Sequence, residues 1–154
     1  MPYTQIIRKQ IIKKDINDLW DFMSSPKNLE KITPKWMQFQ ITSNNVQKKM
    51  YPGMIISYKV TPFFCIPIKW VTEITHVKEK EFFVDEQRVG PYKIWHHEHR
   101  FEKKEEGILM TDTITYILPF GLLGGIANYL FVKKRINRIF DYRYEMLAKL
   151  FDSN

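Results

Sequence analysis

The turns between the strand-like stretches of residues 66–118 are too short to allow more than one kind of sheet. IPIKWVTEITHV, EFFVDEQRV, YKIWHHEHRFE and ILMTDTITYIL are separated only by the turn sequences KEKE, GP and KKEEG. Parallel neighbours need a crossover of about a dozen residues or more, so these stretches must pair as an antiparallel meander. The upstream sequence extends the pattern. YTQIIRKQII reads as a first strand, and WMQFQITS and IISYKVTP as two more, with YPG as the turn between them. Between the first strand and these two, Asp15 caps a short amphipathic helix, INDLWDFM, with Leu19, Trp20 and Met23 inward. A second short helix follows in SSPKNLEKI, with Ser25 as N-cap and Pro26 at its first position.

A long helix from about Gly125 to Phe151 closes the chain. Ile126, Tyr129, Leu130, Ile136, Phe140, Tyr144, Leu147 and Phe151 recur at helical spacing and need a large surface to bury against. The order predicts an α+β fold in which a curved antiparallel seven-stranded sheet wraps around the C-terminal helix, leaving a cavity between them. With 154 residues and neither linker nor repeat, 1–154 is read as one domain.

Charge and cysteine usage restrict the setting. The net charge is +7, but the cations are dispersed, and no zinc, helix-turn-helix or ribonucleoprotein signature accompanies them. Nucleic acid is not expected as a partner. The single cysteine, Cys65, lies in the apolar run FFCIP with no basic neighbour and reads as an inert packing residue. With no secretory leader pattern in MPYTQIIRKQ, a cytoplasmic location is expected. Residues 113–132 carry no charge and are long enough to span a bilayer, but Pro119, Gly121, Gly124 and Gly125 divide them into strand, turn and helix start. LPFGLLGG, TPFFCIP and the basic Lys133, Lys134 and Arg135 allow a weak peripheral membrane contact, although packing of the apolar loop back onto the helix is favoured.

Three of the four histidines lie in YKIWHHEHRF. Strand alternation puts Trp95, His97, His99 and Phe101 on one face, the more aromatic and so the inner one. In MTDTITYIL the larger row, Met110, Asp112, Ile114 and Tyr116, faces inward opposite a threonine row. Asp112 is then a buried carboxylate across the KKEEG turn from His97 and His99, and a buried carboxylate needs such partners. Trp70, with Thr72 and Ile74, extends the inner surface. Arg143, at the edge of the helical stripe, is placed to pair with an inner carboxylate or with an anionic ligand. In EFFVDEQRV the faces are ambiguous from alternation alone, though Glu86 and Arg88 suit water.

Taken in order and spacing, SSPKNLEKITP, MYPGMIISY, IKWVTEIT, FFVDEQRVGPYKIWHHEHRF, MTDTITYILPFGLLG and IFDYR resemble the START-like superfamily, also called SRPBCC or Bet v 1-like. The nearest branch is that of small bacterial ligand-binding proteins related to polyketide cyclases. The resemblance covers nearly the whole chain. It implies a helix-grip fold with a cavity for a hydrophobic or amphipathic small molecule, often without catalysis. The family's F-x-D-x-Q pattern matches Phe83, Asp85 and Gln87, which turns Asp85 and Gln87 inward. The expected ligand-binding set is Trp70, Asp85, Gln87, Trp95, His97, His99, Asp112 and Tyr116. No cofactor is expected, and no metal, since His-x-His stands without HExxH, CxxC or a glycine-framed acidic loop. Two alternatives remain open. One is a cyclase- or dehydratase-like enzyme using His97, His99 and Asp112 as acid and base; the other is a protein or membrane-surface interaction module using the basic C-terminal helix.

Overall fold

The computed structural model describes residues 3–44, 49–63 and 66–151. Cys65 lies outside the described residues. Strand β1 (Thr4–Ile12) leads into helix α1 (Ile16–Met23), two 3-10 turns (Pro26–Ile32 and Lys35–Met37) and strands β2 (Gln40–Ile41) and β3 (Met54–Phe63). Strands β4 (Ile66–Lys78), β5 (Phe82–Val89), β6 (Ile94–Lys104) and β7 (Gly107–Ile117) follow, then helix α2 (Gly121–Ala127), a π-helical turn (Asn128–Val132) and helix α3 (Lys133–Phe151). The strands form one seven-stranded sheet in the order β1-β7-β6-β5-β4-β3-β2. Every pairing is antiparallel. Register shifts at Val71/Thr72 and Ile74/His76, between β4 and β5, and at Val60/Phe63, between β3 and β4, mark the irregularities that let such a sheet bend.

Helix α1 closes one end of the curved sheet. The Asp15 side chain accepts a hydrogen bond from the Asn17 backbone N–H at 2.8 Å, which starts the helix. Ile16, Leu19, Trp20 and Met23 are buried, each stabilising the fold by roughly 1.5–3 kcal/mol. The Trp20 ring meets Phe83 and Phe101 edge-on at 6.0 and 5.5 Å. Helix α3 crosses the concave face, with Ile136, Phe140, Arg143 and Leu147 buried against it. Gln10 of β1 ties the helix down by donating to the Tyr144 carbonyl at 3.0 Å, and Arg8 pairs with Asp141.

The structure departs from the sequence-based expectation in three places. WMQFQITS is mostly not strand. Pro34 begins a 3-10 turn, Gln38 takes a left-handed conformation (φ 46), and only Gln40–Ile41 pairs with β3. Pro26–Ile32 is likewise a 3-10 rather than an α-helix, and Ser25 occupies the N-cap position without a side-chain capping bond.

The third departure concerns the C-terminal helix, which starts at Gly121 rather than near Gly125 and does not bury one continuous stripe. Ile136, Phe140 and Leu147 are buried, but Ile126, Tyr129, Leu130 and Tyr144 are exposed. For Ile126, Tyr129 and Leu130 the π turn at Asn128–Val132 is the physical reason, because its wider winding rotates the chain up to it relative to α3, whereas Tyr144 lies on the outer side of α3 itself. Phe120, Leu122 and Leu123 stand in solvent instead of folding back. Among the described residues no helix is long and apolar enough to cross a membrane, so residues 113–132 divide as the glycines and proline indicate.

Candidate functional site

Between the concave face and α3 lies a cavity of about 140 Å³. Its wall is mainly apolar and aromatic. Trp70 stacks on Tyr58 with ring centroids 6.1 Å apart and meets Tyr92 and Trp95 edge-on, each at 5.5 Å. The polar groups among these aromatics pair with one another: Thr72 Oγ1 accepts from Trp70 Nε1 at 3.1 Å and lies 2.8 Å from the Tyr58 hydroxyl. At one side Arg135 lies over the Trp36 ring at 3.6 Å and donates to the Pro62 carbonyl at 2.9 Å.

The deepest polar feature is a four-membered ionic cluster. Strand register places His97 opposite Asp85 on β5 and His99 opposite Asp112 on β7. His97 Nε2 lies 3.1 Å from Asp112 Oδ1 and its Nδ1 lies 3.3 Å from Asp85 Oδ2. His99 Nε2 lies 3.0 Å from Asp85 Oδ2 and its Nδ1 lies 2.8 Å from Asp112 Oδ1. With the carboxylates ionised, each imidazole donates through Nε2, His97 to Asp112 and His99 to Asp85. The close approach of His99 Nδ1 is a charge contact without hydrogen-bond alignment. The two rings lie side by side at 3.8 Å, with Phe83 stacked on His99 at 4.2 Å and Phe140 edge-on to His97 at 5.4 Å.

Burial is the largest single influence on both aspartates and opposes their ionisation. The charges and hydrogen bonds of His97 and His99 together outweigh it and hold both carboxyls well below the usual carboxylate range. Burial likewise opposes the imidazolium of His97, but the charge of Asp85 and the hydrogen bonds to Asp112 and Asp85 raise its pKa. Arg143 extends from α3 toward the same cluster, and burial lowers its pKa against the opposing charges of Asp112 and Asp85.

The residues singled out from the sequence fall into three positions. Trp70, Asp85, Trp95, His97 and His99 line the cavity, and Asp112 lies behind the two imidazoles. Gln87 turns instead to the backbone of Tyr92, donating through Nε2 to its carbonyl at 2.7 Å and accepting from its N–H at 3.2 Å, so it clamps the β5–β6 turn. Tyr116 is buried and donates to Asn128 Oδ1 at 2.6 Å, tying β7 to the π turn. Ile56 and Tyr58 also belong to the wall, and Arg135 reaches it from the basic surface cluster, none of which the sequence-based set contains. The alternation of Ile56, Tyr58 and Val60 in β3 carries a signal for the first two. For Arg135 no such signal exists, because its placement depends on Trp36 in the 3-10 turn.

Asp85, His97 and His99 offer ligand atoms that all lie within 4.8 Å of one another, a donor set that suits a divalent ion. To hold one, the imidazoles would have to give up their carboxylate contacts. The Arg143 guanidinium would face the ion as a like charge.

Among solved structures, the chain is similar to protein CV1439 from Chromobacterium violaceum, with a TM-score of 0.74 and 8% identity over 97% of this chain and 99% of that one. It is also similar to major latex-like protein 151 from Panax ginseng, with a TM-score of 0.70 and 14% identity over 97% of each. The di-domain ARO/CYC StfQ of the steffimycin biosynthetic pathway matches with a TM-score of 0.66 and 7% identity over 96% of this chain but 52% of its own. No protein-family model and no curated protein matches the sequence. The fold is thus the helix grip of these structures, a curved antiparallel sheet around a long C-terminal helix.

Proposed function

We propose that the chain acts as one domain, in the cytoplasm, that binds a hydrophobic or amphipathic small molecule between the sheet and α3. The observation that carries this reading is the aromatic-walled cavity whose floor is an already paired ionic cluster. Trp70, Trp95, Tyr58 and Phe140 supply apolar contact, and Asp85, His97 and His99 a fixed polar end. The latex-like and aromatase/cyclase neighbours support the architecture.

The same geometry favours binding over acid–base catalysis. A general base needs a nitrogen within reach of the substrate proton. All four ring nitrogens of His97 and His99 instead lie within 3.3 Å of a carboxylate oxygen. Native mass spectrometry followed by denaturing extraction tests the reading, together with titration of a neutral probe, methyl 1-naphthaleneacetate. The expected result is a co-purified organic molecule released on unfolding, or saturable uptake of the probe that Trp70→Ala weakens. A protein that carries nothing and takes up no probe overturns it.

A further inference from the structure

Arg143 is 7% exposed and lines the cavity, yet its Nε has no hydrogen-bond partner. Its one close partner among the described residues is the Phe140 ring, 4.9 Å from the guanidinium carbon. Asp85 and Asp112 act on it through their charge but lie beyond ion-pair distance, and each turns one oxygen to both His97 and His99. A buried guanidinium without acceptors is costly, since it presents a planar fork of donors that only a carboxylate or similar oxyanion satisfies two at a time. The rest of the wall supplies no such acceptor: the hydroxyls of Tyr58 and Thr72 pair with each other.

Resting on the binding reading above, we propose that the natural occupant is an amphipathic acid whose carboxylate lies on Arg143 and whose apolar body fills the space under Trp70 and Trp95. Calorimetric titration with 1-naphthaleneacetate and its methyl ester tests this. The native protein is expected to bind the acid about tenfold to a hundredfold tighter than the ester, the range for charge-assisted hydrogen bonds. Arg143→Met is expected to erase that preference while still binding the ester. Its thermal midpoint should stay level or rise, because the change removes a charge that lacks acceptors. Arg143→Lys, which keeps the charge but not the fork, should retain only part of the preference and serves if the methionine variant does not fold. Equal affinity for acid and ester in the native protein overturns the acid and leaves the binding reading standing. Failure to bind either probe overturns the acid, and overturns the binding reading as well when the protein also carries no co-purified molecule. A fall of several degrees in the midpoint of Arg143→Met, or its failure to fold, together with an acid preference in Arg143→Lys as large as in the native protein, would assign Arg143 to holding Asp85 and Asp112 by charge alone and would overturn the proposal.

The chain before α3 presents a different surface. Phe120, Leu122, Leu123 and Tyr129 are 81, 83, 71 and 86% exposed, and Ile126 and Phe131 about half so. Apolar residues gathered in this way on a folded surface mark a contact site. No Asp or Glu occurs between Asp112 and Asp141, whereas Lys133, Lys134 and Arg138 are exposed directly beside the apolar residues. Pairing two copies through this patch would bring like charges together, while an anionic bilayer complements both the apolar side chains and the cations. From this independent observation we infer that α2 and the π turn dock on an anionic lipid surface.

The test is sedimentation with phosphatidylcholine vesicles with and without phosphatidylglycerol. Binding is expected only with the anionic lipid, lost in Leu122→Ser/Leu123→Ser and weakened about tenfold or more in Lys133→Gln/Lys134→Gln. All four positions are exposed, so the fold tolerates the changes. No sedimentation of the native protein, or sedimentation unaltered in both variants, overturns the inference. So does a concentration-dependent dimer abolished by the serine pair, which would make a second copy the occupant.

Discussion

Asp112 shows how much one residue depends on its surroundings. It is 3% exposed and contacts both imidazoles, so its charge is tolerable only because His97 and His99 are there. Replacing it with alanine leaves both rings facing a void and Asp85 as their only counter-charge. The expected cost is about 3–5 kcal/mol, the range for breaking a buried pair by removing one partner. Urea unfolding reads this directly, and a loss under about 1 kcal/mol would mean the cluster contributes little to the fold. Replacing His97, His99, Asp85 and Asp112 together with the nearby Arg143 by apolar residues of similar volume should be far less damaging than the single change, since only then is no buried charge left unpaired. Most of this cluster is legible in the sequence, because alternation in β6 and β7 sets His97, His99 and Asp112 on one face. What alternation does not reveal is that each imidazole bridges both carboxylates, which depends on the sheet's curvature bringing β5 and β7 to either side of β6 within 3.3 Å of the rings. Nor does it separate Asp85 from Gln87, two residues of one strand face that end at the cavity wall and at the turn backbone.

Elements in this chain are well marked where their ends carry strong local chemistry and poorly marked where tertiary contacts decide. The β6–β7 hairpin belongs to the first kind. Gly107 has φ +142, and a Cβ there would stand 2.5 Å from the Ile12 carbonyl oxygen of β1. Gly107→Ala is therefore expected to cost about 1–3 kcal/mol through backbone strain and a displaced strand end. Circular dichroism melting against the native chain checks it, and an unchanged midpoint would show that the turn relaxes freely. The short turns of the meander make its antiparallel order legible in the sequence, as Asp15 does for the start of α1. The 3-10 turn at Lys35–Met37 is not legible there, because WMQFQITS alternates like a strand while Arg135, from the far end of the chain, draws Trp36 out of line. The π turn escapes for a related reason. Asn128 is drawn inward by Tyr116 and by Thr4, to whose hydroxyl it donates at 2.9 Å, and helical periodicity carries no sign of such contacts.

At the scale of the whole molecule, α1 fills one end of the sheet with Trp20, Phe83 and Phe101, and the ionic cluster lies between that packed end and the cavity. Protonation of the cluster is thereby coupled to folding. The His97 pKa is raised from its ordinary 6.5, so its contribution to stability is complete below that value and disappears as pH rises through the folded-state pKa. The Asp85 and Asp112 pKa values are lowered from 3.8, so their contribution is complete above that value and disappears as pH falls through the folded-state values. The groups facing His97 are Asp85 from β5, Asp112 from β7 and His99 from β6, with Arg143 of α3 nearby, so the cluster works best between the two ordinary values. Net charge acts in the opposite direction. A chain of charge +7 repels itself less as pH climbs toward its isoelectric point near 9.4, which by itself favours the folded state at alkaline pH. Comparison with a variant separates the two effects. The thermal midpoint of the native protein is expected to decline as pH rises above the ordinary histidine value of 6.5, relative to that of His97→Gln, which keeps a hydrogen-bonding side chain but cannot titrate. Parallel curves for the two proteins would mean that His97 carries the same charge folded and unfolded.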